Sequence, residues 1–313
     1  MDILLNLYHI GTQFMLSSEK PKLYLGFTDY FRTLDDFFIH TLSERYDVIR
    51  DDENPDYLIF ADETFGQTNK RFNGKNVCKI FFTGENRRFW NYDCHFAMSY
   101  DHFDFSKHFR LPLYVLDNWV NVHKIGVSDI RNVVRDGHVS QKTEGFCSFV
   151  VANGGCKERN DAFHLLSTYK KVDSGGPLFN NVGFVLPRDG INAQLTKYEF
   201  IRNRKFNLCY ENGSHPGYVT EKLFHALFCN TIPIYWGSSV VEVDFNPKAF
   251  ISRHDFESDE DMMKRIIEID SNDDLYNQML SEPILNPRNK FLNLSRFLDW
   301  FSTHIYKGQL NRR

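Results

Sequence analysis

This sequence has no marked excess of charge of either sign. Its 313 residues include 37 lysines and arginines and 41 aspartates and glutamates, which gives a formal net charge of −4. A chain so evenly balanced has no general attraction to nucleic acid or to anionic lipid, so a site for an anion has to be built locally. We therefore expect no nucleic-acid partner.

Paired cysteines and long apolar runs are also missing. None of the 6 cysteines forms a CxxC pair. Cys78, Cys147, Cys209 and Cys229 lie in apolar stretches, where cysteine packs as a small hydrophobic residue. Residues 1–16 lack the basic segment and the long apolar stretch of a signal peptide or membrane anchor. The sequence thus predicts no zinc cluster and a reducing, cytoplasmic location.

Apolar segments of strand length alternate with helical patterns, which is typical of a parallel sheet with helices on both faces. Hydrophobic residues make up 42% of the chain, enough for two packed domains of ordinary size. We predict domains over residues 1–140 and 141–285, with a polar linker at 119–144, and an amphipathic helix and tail over 286–313. The individual predictions are strands at 22–28, 46–49, 57–61, 77–83, 95–100, 111–115, 146–151, 206–210 and 232–236, helices at 30–46, 158–169, 255–279 and 288–306, and a loop-rich stretch at 173–190.

The stretch from Phe206 to Gly237 is predicted to form a strand, a loop, a helix and a second strand. Thr220 is placed to cap the helix, whose apolar residues recur at helical spacing. Lys222 then falls in the first helical turn, where the helix dipole disfavours a cation but free N–H groups favour a phosphate. A lysine at this point makes sense if an anion joins it, so the sequence predicts a site for a phosphate-bearing ligand.

A carboxylate occupies the matching place in the first part of the chain. Glu85, in the segment Thr83-Gly84-Glu85-Asn86, directly follows a predicted strand, and ligands of parallel sheets bind at the carboxyl ends of the strands. A carboxylate there is well placed to act as a general base. A solvated loop glutamate or a helix cap is the alternative.

With these residues the chain resembles the α-1,3/4-fucosyltransferases of glycosyltransferase family 10, especially the bacterial members. The resemblance runs from about Lys22 to about Phe301. It implies an α/β architecture, the GT-B fold, in which two Rossmann-like domains face a central cleft. The first domain would bind the acceptor and the second the donor, GDP-β-L-fucose, with no metal or other cofactor required. The matching residues are Phe206, Glu211, Asn212, Tyr218, Thr220, Glu221 and Lys222 of the donor signature, and the segments 83–86, 111–114, 233–237 and 244–250.

The resemblance implies a role for each site residue, beside which a structural role stays open. Glu85 would be the base, and Lys222 would neutralise the diphosphate. Glu221 would accept hydrogen bonds from the ribose, or only complement the helix dipole. The other donor-site residues are Tyr218, Asn212 and Thr220, as hydrogen-bonding groups or as turn and cap formers, and Glu211, beside the anomeric carbon or as a backbone hydrogen-bond acceptor.

One position departs from some bacterial relatives. Phe179 stands where they place an arginine that is thought to meet the diphosphate. Arg159, which follows the Asn153 loop, matches another family arginine and is the candidate replacement. We predict that both Asn153 and Arg159 belong to the donor site.

Predictions for the acceptor side rest on fewer residues. Arg87, Trp90 and His95 follow the proposed base and are predicted to contact the acceptor sugar, although exposure to water and aromatic core packing are their ordinary roles. The segment from Asp101 to Asp104 is similar to a metal-binding DxD but lacks its spacing, so we interpret it as a loop cap. The amphipathic tail is predicted to pack on the body of the protein, with peripheral contact at the inner face of the membrane as the alternative.

The function implied is an inverting α-1,3-fucosyltransferase that moves L-fucose from GDP-β-L-fucose to O3 of GlcNAc or glucose. Its acceptors would be lactosamine- or lactose-type glycans, as in the synthesis of Lewis-type antigens. Three alternatives stay open: α-1,4 transfer to type 1 chains, a GT-B transferase with another nucleotide sugar, and a non-catalytic protein that binds a glycan or a nucleotide.

Overall fold

The computed structural model describes residues 19–31, 33–103, 105–135, 145–188 and 190–310. The predictions for residues 1–16, for Asp104 and for the end of the linker fall outside these residues. We call the described residues up to 135 the first half and residues 145–280 the second half.

A parallel sheet forms the centre of the first half. Its strands are β1 (Lys22–Thr28), β2 (Asp47–Arg50), β3 (Tyr57–Phe60), β4 (Cys78–Phe82), β5 (Phe96–Ser99) and β6 (His108–Arg110), in the order β2-β1-β3-β4-β5-β6. The helices α1 (Leu34–Leu42) and α2 (Leu113–Val120) cover one face of this sheet, and residues 89–94 cover the other. Because both faces are covered, the central strands are continuous apolar runs in the sequence.

A second parallel sheet forms the centre of the second half. Its strands are β7 (Gly145–Phe149), β8 (Val172–Ser174), β9 (Arg204–Leu208), β10 (Ile232–Tyr235) and β11 (Ile251–Ser252), in the order β11-β10-β9-β7-β8. The helices are α3 (Lys157–Tyr169), α4 (Ile191–Arg202), α5 (Glu221–Phe228), α6 (Asp259–Ser271) and α7 (Asp273–Leu280). The alternation of strands and helices expected from the sequence is therefore present in the second half, whereas in the first half α1 is the only α-helix between strands and the α-helices cover only one face.

The C-terminal segment returns to the first half. Helix α8 (Ser295–Trp300) continues as a π-helical turn to Ile305. Its apolar side chains, including Phe297 and Phe301, are buried in the core of the first half. Ser302 accepts a hydrogen bond from the Tyr46 hydroxyl at 2.8 Å. The predicted packing of the tail on the body is thus confirmed, and the apolar face that a membrane would need is already occupied by protein.

Two predictions of secondary structure were wrong. The run 111–115, predicted as a strand, lies after β6 and begins helix α2 behind Pro112, because proline is well tolerated at a helix start and short apolar runs do not distinguish strand from helix. The predicted helix over 255–279 is two helices, since the Asn272 side chain caps a new helix start by accepting from the backbone N–H groups of Asp274 and Leu275. The stretch predicted to be loop-rich, 173–190, contains no helix or strand in its described residues after Ser174, where β8 ends, and helix α4 follows it.

The two halves share apolar packing. Helix α5 of the second half packs on α2, and its Leu223, Phe224 and Leu227 belong to the core of the first half. Arg110 in β6 forms a buried bidentate ion pair with Asp244, with both N···O distances at 2.8 Å. The predicted boundary near residue 140 falls outside the described residues and stays a prediction. Among the described helices, none combines the length and the apolar composition needed to cross a membrane.

Candidate active site

The loop from Glu211 to Thr220 connects the end of β9 to the start of α5, and a buried carboxylate holds it in place. Glu211 is 0% exposed. Its Oε1 accepts hydrogen bonds from the Thr220 backbone N–H at 2.8 Å and from the Thr220 hydroxyl at 2.9 Å. The Glu211 carboxylate therefore fixes Thr220, the residue predicted to cap helix α5, at the start of that helix. Gly237 makes room for it, because a Cβ there would lie 2.6 Å from the Glu211 Cγ.

Lys222 lies directly above this carboxylate. Its Nζ donates to Glu211 Oε2 at 3.0 Å and to the Thr220 hydroxyl at 2.9 Å, and it lies 3.7 Å from Glu221 Oε1. Burial alone would lower the pKa of Lys222, but the carboxylates of Glu211 and Glu221 outweigh it and raise that pKa above its ordinary value. Burial raises the pKa of Glu211, and the Lys222 ammonium partly offsets this effect. Lys222 is therefore a firmly charged cation at the start of a helix.

A narrow crevice of about 10 Å³, the space of one water molecule, lies beside Lys222 at the carboxyl ends of β7 and β9, the edge at which parallel sheets bind ligands. Residues that follow or end these strands line it together with two lysines, Lys197 and Lys222. Lys197, on α4, places its Nζ 3.9 Å from Glu221 Oε1. Burial alone would raise the pKa of Glu221, but the two ammonium groups hold it well below its usual range. Two cations thus line the crevice, and the ionised Glu221 carboxylate lies within 4 Å of both of them.

Arg159 adds a further cation behind the loop 153–155. Its guanidinium, on a residue that is 2% exposed, donates to the backbone carbonyl of Asn153. Its Nε is buried and has no hydrogen-bond partner in the part of the chain that the structure describes. Burial lowers the pKa of Arg159, and the nearest carboxylates raise it only in part. A buried donor without a partner is costly, and this makes Arg159 a candidate for the binding of an anion.

Phe179 brings no charge to this region. Its ring stacks on Phe163 of α3 at 4.8 Å between centroids and contacts His164 at the same distance. The position expected from some relatives to hold an arginine is therefore part of the aromatic packing of α3. The cations that the structure gathers near the crevice are Lys222, Lys197 and Arg159.

Glu85 reaches this region from the other half. It follows β4 on an exposed loop that Thr83 fixes, since the Glu85 backbone N–H donates to the Thr83 hydroxyl at 3.1 Å. Its Oε2 accepts from the Asn212 side-chain amide at 3.4 Å. The Asn212 Oδ1 in turn accepts from the Tyr218 hydroxyl at 2.9 Å. The two predicted parts of the site thus lie together, and Asn212 joins them.

The loop 211–220 also contacts the first half at the end of β5. The Nε2 of His215 lies 3.0 Å from Asp101 Oδ1, and the rings of Tyr218 and Tyr100 meet edge to face at 4.9 Å. Gly217 has φ of 86°, and a Cβ there would lie 2.4 Å from the Tyr100 carbonyl oxygen. Asp101 is therefore a structural link between the halves. No group of three or more potential metal ligands is found among the described residues.

The structure separates the three predicted acceptor residues. Trp90 is 55% exposed, and the Arg87 side chain is 45% exposed and lies 3.5 Å from Glu63. His95 is on the opposite edge of the sheet, where its Nδ1 accepts from the Lys79 backbone N–H at the start of β4. This amino-terminal end of β4 is roughly 13 Å from the carboxyl-terminal end that Glu85 follows, since an extended strand rises about 3.3 Å per residue. The prediction for His95 is wrong, because the chain crosses the whole sheet face between residues 85 and 95.

Lys197 is the site residue that sequence reasoning missed. It lies on α4, a helix that the sequence did not predict, and no local pattern marks its position. Lys197 comes near the site only because α4 packs beside α5, and a contact of this kind cannot be predicted from a local sequence pattern.

Comparisons with known proteins agree with this geometry. The chain matches the model described as glycosyltransferase family 10 (fucosyltransferase) C-term over residues 139–281 and that of the alpha-(1,3)-fucosyltransferase FucT N-terminal domain over residues 23–117. It is 31% identical over 276 residues to the alpha-(1,3)-fucosyltransferase FucT of Helicobacter pylori, a match that covers 78% of this chain and 55% of that protein. The chain thus spans about half the length of this curated relative.

Solved structures give the same result for the fold. A crystal structure of an alpha1,3-fucosyltransferase superposes with a TM-score of 0.74 at 28% identity, covering 92% of this chain and 91% of that one. A crystal structure of an alpha1,3-fucosyltransferase with GDP-fucose gives a TM-score of 0.70 at 26% identity, covering 96% and 95%. The predicted GT-B fold is confirmed.

Proposed function

The chain belongs to the fucosyltransferases of glycosyltransferase family 10, and we propose that it is an inverting α-1,3-fucosyltransferase. Its donor is GDP-β-L-fucose, and its acceptor is O3 of GlcNAc or glucose in a lactosamine- or lactose-type glycan. The observation that supports this most is the contact between Glu85 and Asn212. It joins a carboxylate of the first half to the loop that leads into Lys222, so that a base and a cation share one cleft.

Inversion requires the acceptor hydroxyl to attack the anomeric carbon from the face opposite the leaving nucleotide. In our proposal Glu85 accepts the proton of the acceptor hydroxyl as its oxygen bonds to the anomeric carbon. The bond from that carbon to the diphosphate breaks at the same time, and GDP leaves with the electron pair. Glu85 suits this role because it is exposed at the edge of the first half, where an acceptor has access.

Negative charge develops on the departing diphosphate, and the second half supplies positive charge for it. Lys222 lies at the start of α5, where the free N–H groups of the first turn also point. Arg159 has a buried donor without a partner among the described residues. Fixed charges of this kind stabilise a transition state because they need no reorganisation during the reaction. We propose that these groups, rather than a metal ion, hold the diphosphate.

Some of the remaining donor-signature residues are suited to contact the donor, and others hold the site in place. Glu221 is ionised and partly exposed beside Lys197 and Lys222, so it suits the hydroxyl groups of a ribose. Glu211 has both oxygens engaged by Thr220 and Lys222, so we assign it to holding Lys222 and not to the sugar. The hydrogen bond from Tyr218 to Asn212 fixes the amide that meets Glu85.

Nucleotide binding gives the first test. GDP is expected to raise the thermal midpoint of the protein, because a ligand that binds only the folded state stabilises it by mass action, and UDP is expected to do so far less. Equal shifts with both nucleotides would exclude GDP-fucose as the preferred donor. Product linkage, determined by NMR after incubation with GDP-fucose and type 1 and type 2 acceptors, distinguishes 1,3 from 1,4 transfer.

A substitution tests the base. Glu85→Gln is expected to lower kcat by about 10²–10⁴-fold, the usual contribution of general-base catalysis, while the thermal shift with GDP stays unchanged. Glu268→Gln, on α6 and paired with Arg265 at the surface, is the matched control and is expected to leave turnover unchanged. Full turnover in Glu85→Gln would remove Glu85 as the base, and a protein that binds GDP but transfers no sugar would be a nucleotide-binding protein only.

A further inference from the structure

Lys197 is held at the crevice by a helix with a fixed position. In α4, the neighbouring Tyr198 hydroxyl donates to Asn121 Oδ1 at 2.8 Å, and Gln194 Nε2 donates to the same oxygen at 3.1 Å. Gln194 Nε2 also donates to the Tyr198 hydroxyl at 2.6 Å. Asn121 belongs to the first half and is itself fully buried. Lys197 is therefore carried on a helix that two hydrogen bonds, both to Asn121, fix against the other half.

The Glu221 carboxylate lies between two lysines, Lys222 and Lys197. Lys222 already donates to Glu211 and Thr220 at 3.0 and 2.9 Å, and it lies 3.7 Å from Glu221 Oε1. Lys197 lies 3.9 Å from the same oxygen. Both separations exceed the 2.7–3.2 Å of an N–H···O hydrogen bond, so the lysines stabilise the charge of Glu221 without occupying its lone pairs.

An ionised carboxylate with accessible lone pairs beside a crevice is an acceptor for neutral hydroxyl groups. The side chains of Glu221 and Lys197 are 25% and 21% exposed, so a ligand bound at the protein surface can reach both. The low pKa of Glu221 means that it cannot donate a proton to a ligand at neutral pH. A pair of adjacent hydroxyl groups, as on a ribose, matches the two oxygens of one carboxylate.

We propose that Lys197 is a positioning residue for the donor: it orients the ionised Glu221 carboxylate so that Glu221 accepts hydrogen bonds from the ribose hydroxyl groups of the nucleotide. This inference rests on the proposed use of a nucleotide donor. It assigns Lys197 to the ribose end of the ligand, and it leaves the diphosphate to Lys222 and Arg159.

A comparison of two ligands distinguishes a role of Lys197 at the ribose from a direct contact between Lys197 and phosphate. Isothermal titration of GDP and of 2′,3′-dideoxy-GDP is carried out on the wild-type protein and on Lys197→Met, Lys197→Arg and Lys264→Met. Lys264 is a surface lysine of α6 paired with Asp261 and serves as the control for loss of one positive charge. In Lys197→Met we expect the affinity for GDP to fall about tenfold and that for dideoxy-GDP by less than about twofold, as hydrogen bonds to a charged group have this magnitude.

The conservative, control and Glu221 variants test the same proposal. Lys197→Arg is expected to restore most of the affinity for GDP, and Lys264→Met to change neither ligand. Glu221→Gln is expected to remove the preference for GDP over dideoxy-GDP, and Lys197→Met added to it is expected to cost nothing more. Equal losses for both ligands in Lys197→Met would overturn the proposal in favour of a phosphate contact, and no loss for either would overturn it outright. If the wild-type protein binds neither ligand, the proposed donor is itself wrong.

Discussion

Removal of the Glu211 carboxylate tests how the charged start of α5 is held. Glu211 is 0% exposed, and the Lys222 ammonium is its charged partner at 3.0 Å. In Glu211→Gln the amide keeps the shape of the side chain, but Lys222 retains only the more distant carboxylate of Glu221, at 3.7 Å. We expect the free energy of unfolding to fall, because a partly buried cation has lost its nearest counter-charge.

The magnitude follows from the burial of the pair. Breaking a buried ion pair by removing one partner costs about 3–5 kcal/mol. Because 20% of the Lys222 side chain is exposed, water compensates in part, and we expect a loss at the lower end, about 3 kcal/mol. Lys222→Met is expected to cost a similar amount, since it leaves the Glu211 carboxylate buried without a cation. The double variant is expected to lose about 3 kcal/mol and not about 6, which is a coupling energy of about 3 kcal/mol.

The assay is urea unfolding of the four proteins of this double-mutant cycle, followed by circular dichroism. The matched control is Asp161→Asn, which breaks the exposed pair with Lys157 and is expected to cost less than about 0.5 kcal/mol. Losses that simply add in the double variant would refute the reasoning, because they would show that Glu211 and Lys222 contribute independently.

The same cycle has a pH dependence of known sign. Burial already raises the pKa of Glu211 in the fold, and loss of Lys222 removes the effect that opposes it. A carboxyl group whose pKa is higher in the fold than in the unfolded chain stabilises the fold below its unfolded pKa, and that stability is lost as pH rises through the folded pKa. The penalty of Lys222→Met is therefore expected to be smaller at about pH 5 than at about pH 8.

Three further predictions concern the link between the halves, the loop and the cofactor requirement. Asp244→Asn leaves the buried Arg110 guanidinium without its counter-charge and is expected to lower the free energy of unfolding by about 3–5 kcal/mol in urea titrations. Gly217→Ala places a Cβ against the Tyr100 carbonyl at a φ of 86° and is expected to weaken GDP binding and lower the thermal midpoint, whereas an unchanged midpoint would show that the loop adapts freely. EDTA is expected to leave transfer unchanged, and activity lost with EDTA and restored by Mn²⁺ would contradict the proposed role of Lys222 and Arg159.

The sequence predicted most strands of the fold, because strands buried on both faces are continuous apolar runs. It failed where an apolar run was short, as at Leu111 to Val115, since the same residues suit a buried helix behind Pro112. It also did not predict α4, whose buried contacts include the polar side chains of Gln194 and Tyr198 on Asn121. Polar residues used in packing weaken the apolar periodicity by which helices are predicted.

The candidate site was predicted in two parts, at Glu85 and around Lys222, and only the family resemblance placed them on one cleft. Both could be found because each follows a strand end, and in a parallel sheet strand ends mark the ligand edge. The meeting of Glu85 with Asn212 depends on how the halves pack, which no local pattern encodes. His95 shows the converse error, since ten residues that follow Glu85 in sequence cross the sheet and end on its far edge.

Helix α5 has a consequence for the way in which a nucleotide enters and leaves. Leu223, Phe224 and Leu227 belong to the second half by sequence, yet each is 0% exposed in the core that includes α2. Parting the halves widely would return them to water at about 1.5–3 kcal/mol each, so fewer than about one molecule in a thousand would be open at any time. Exchange of the nucleotide is therefore expected to be gated by the exposed rim loop at 83–88, because loops move on a timescale of nanoseconds to microseconds, and not by a hinge.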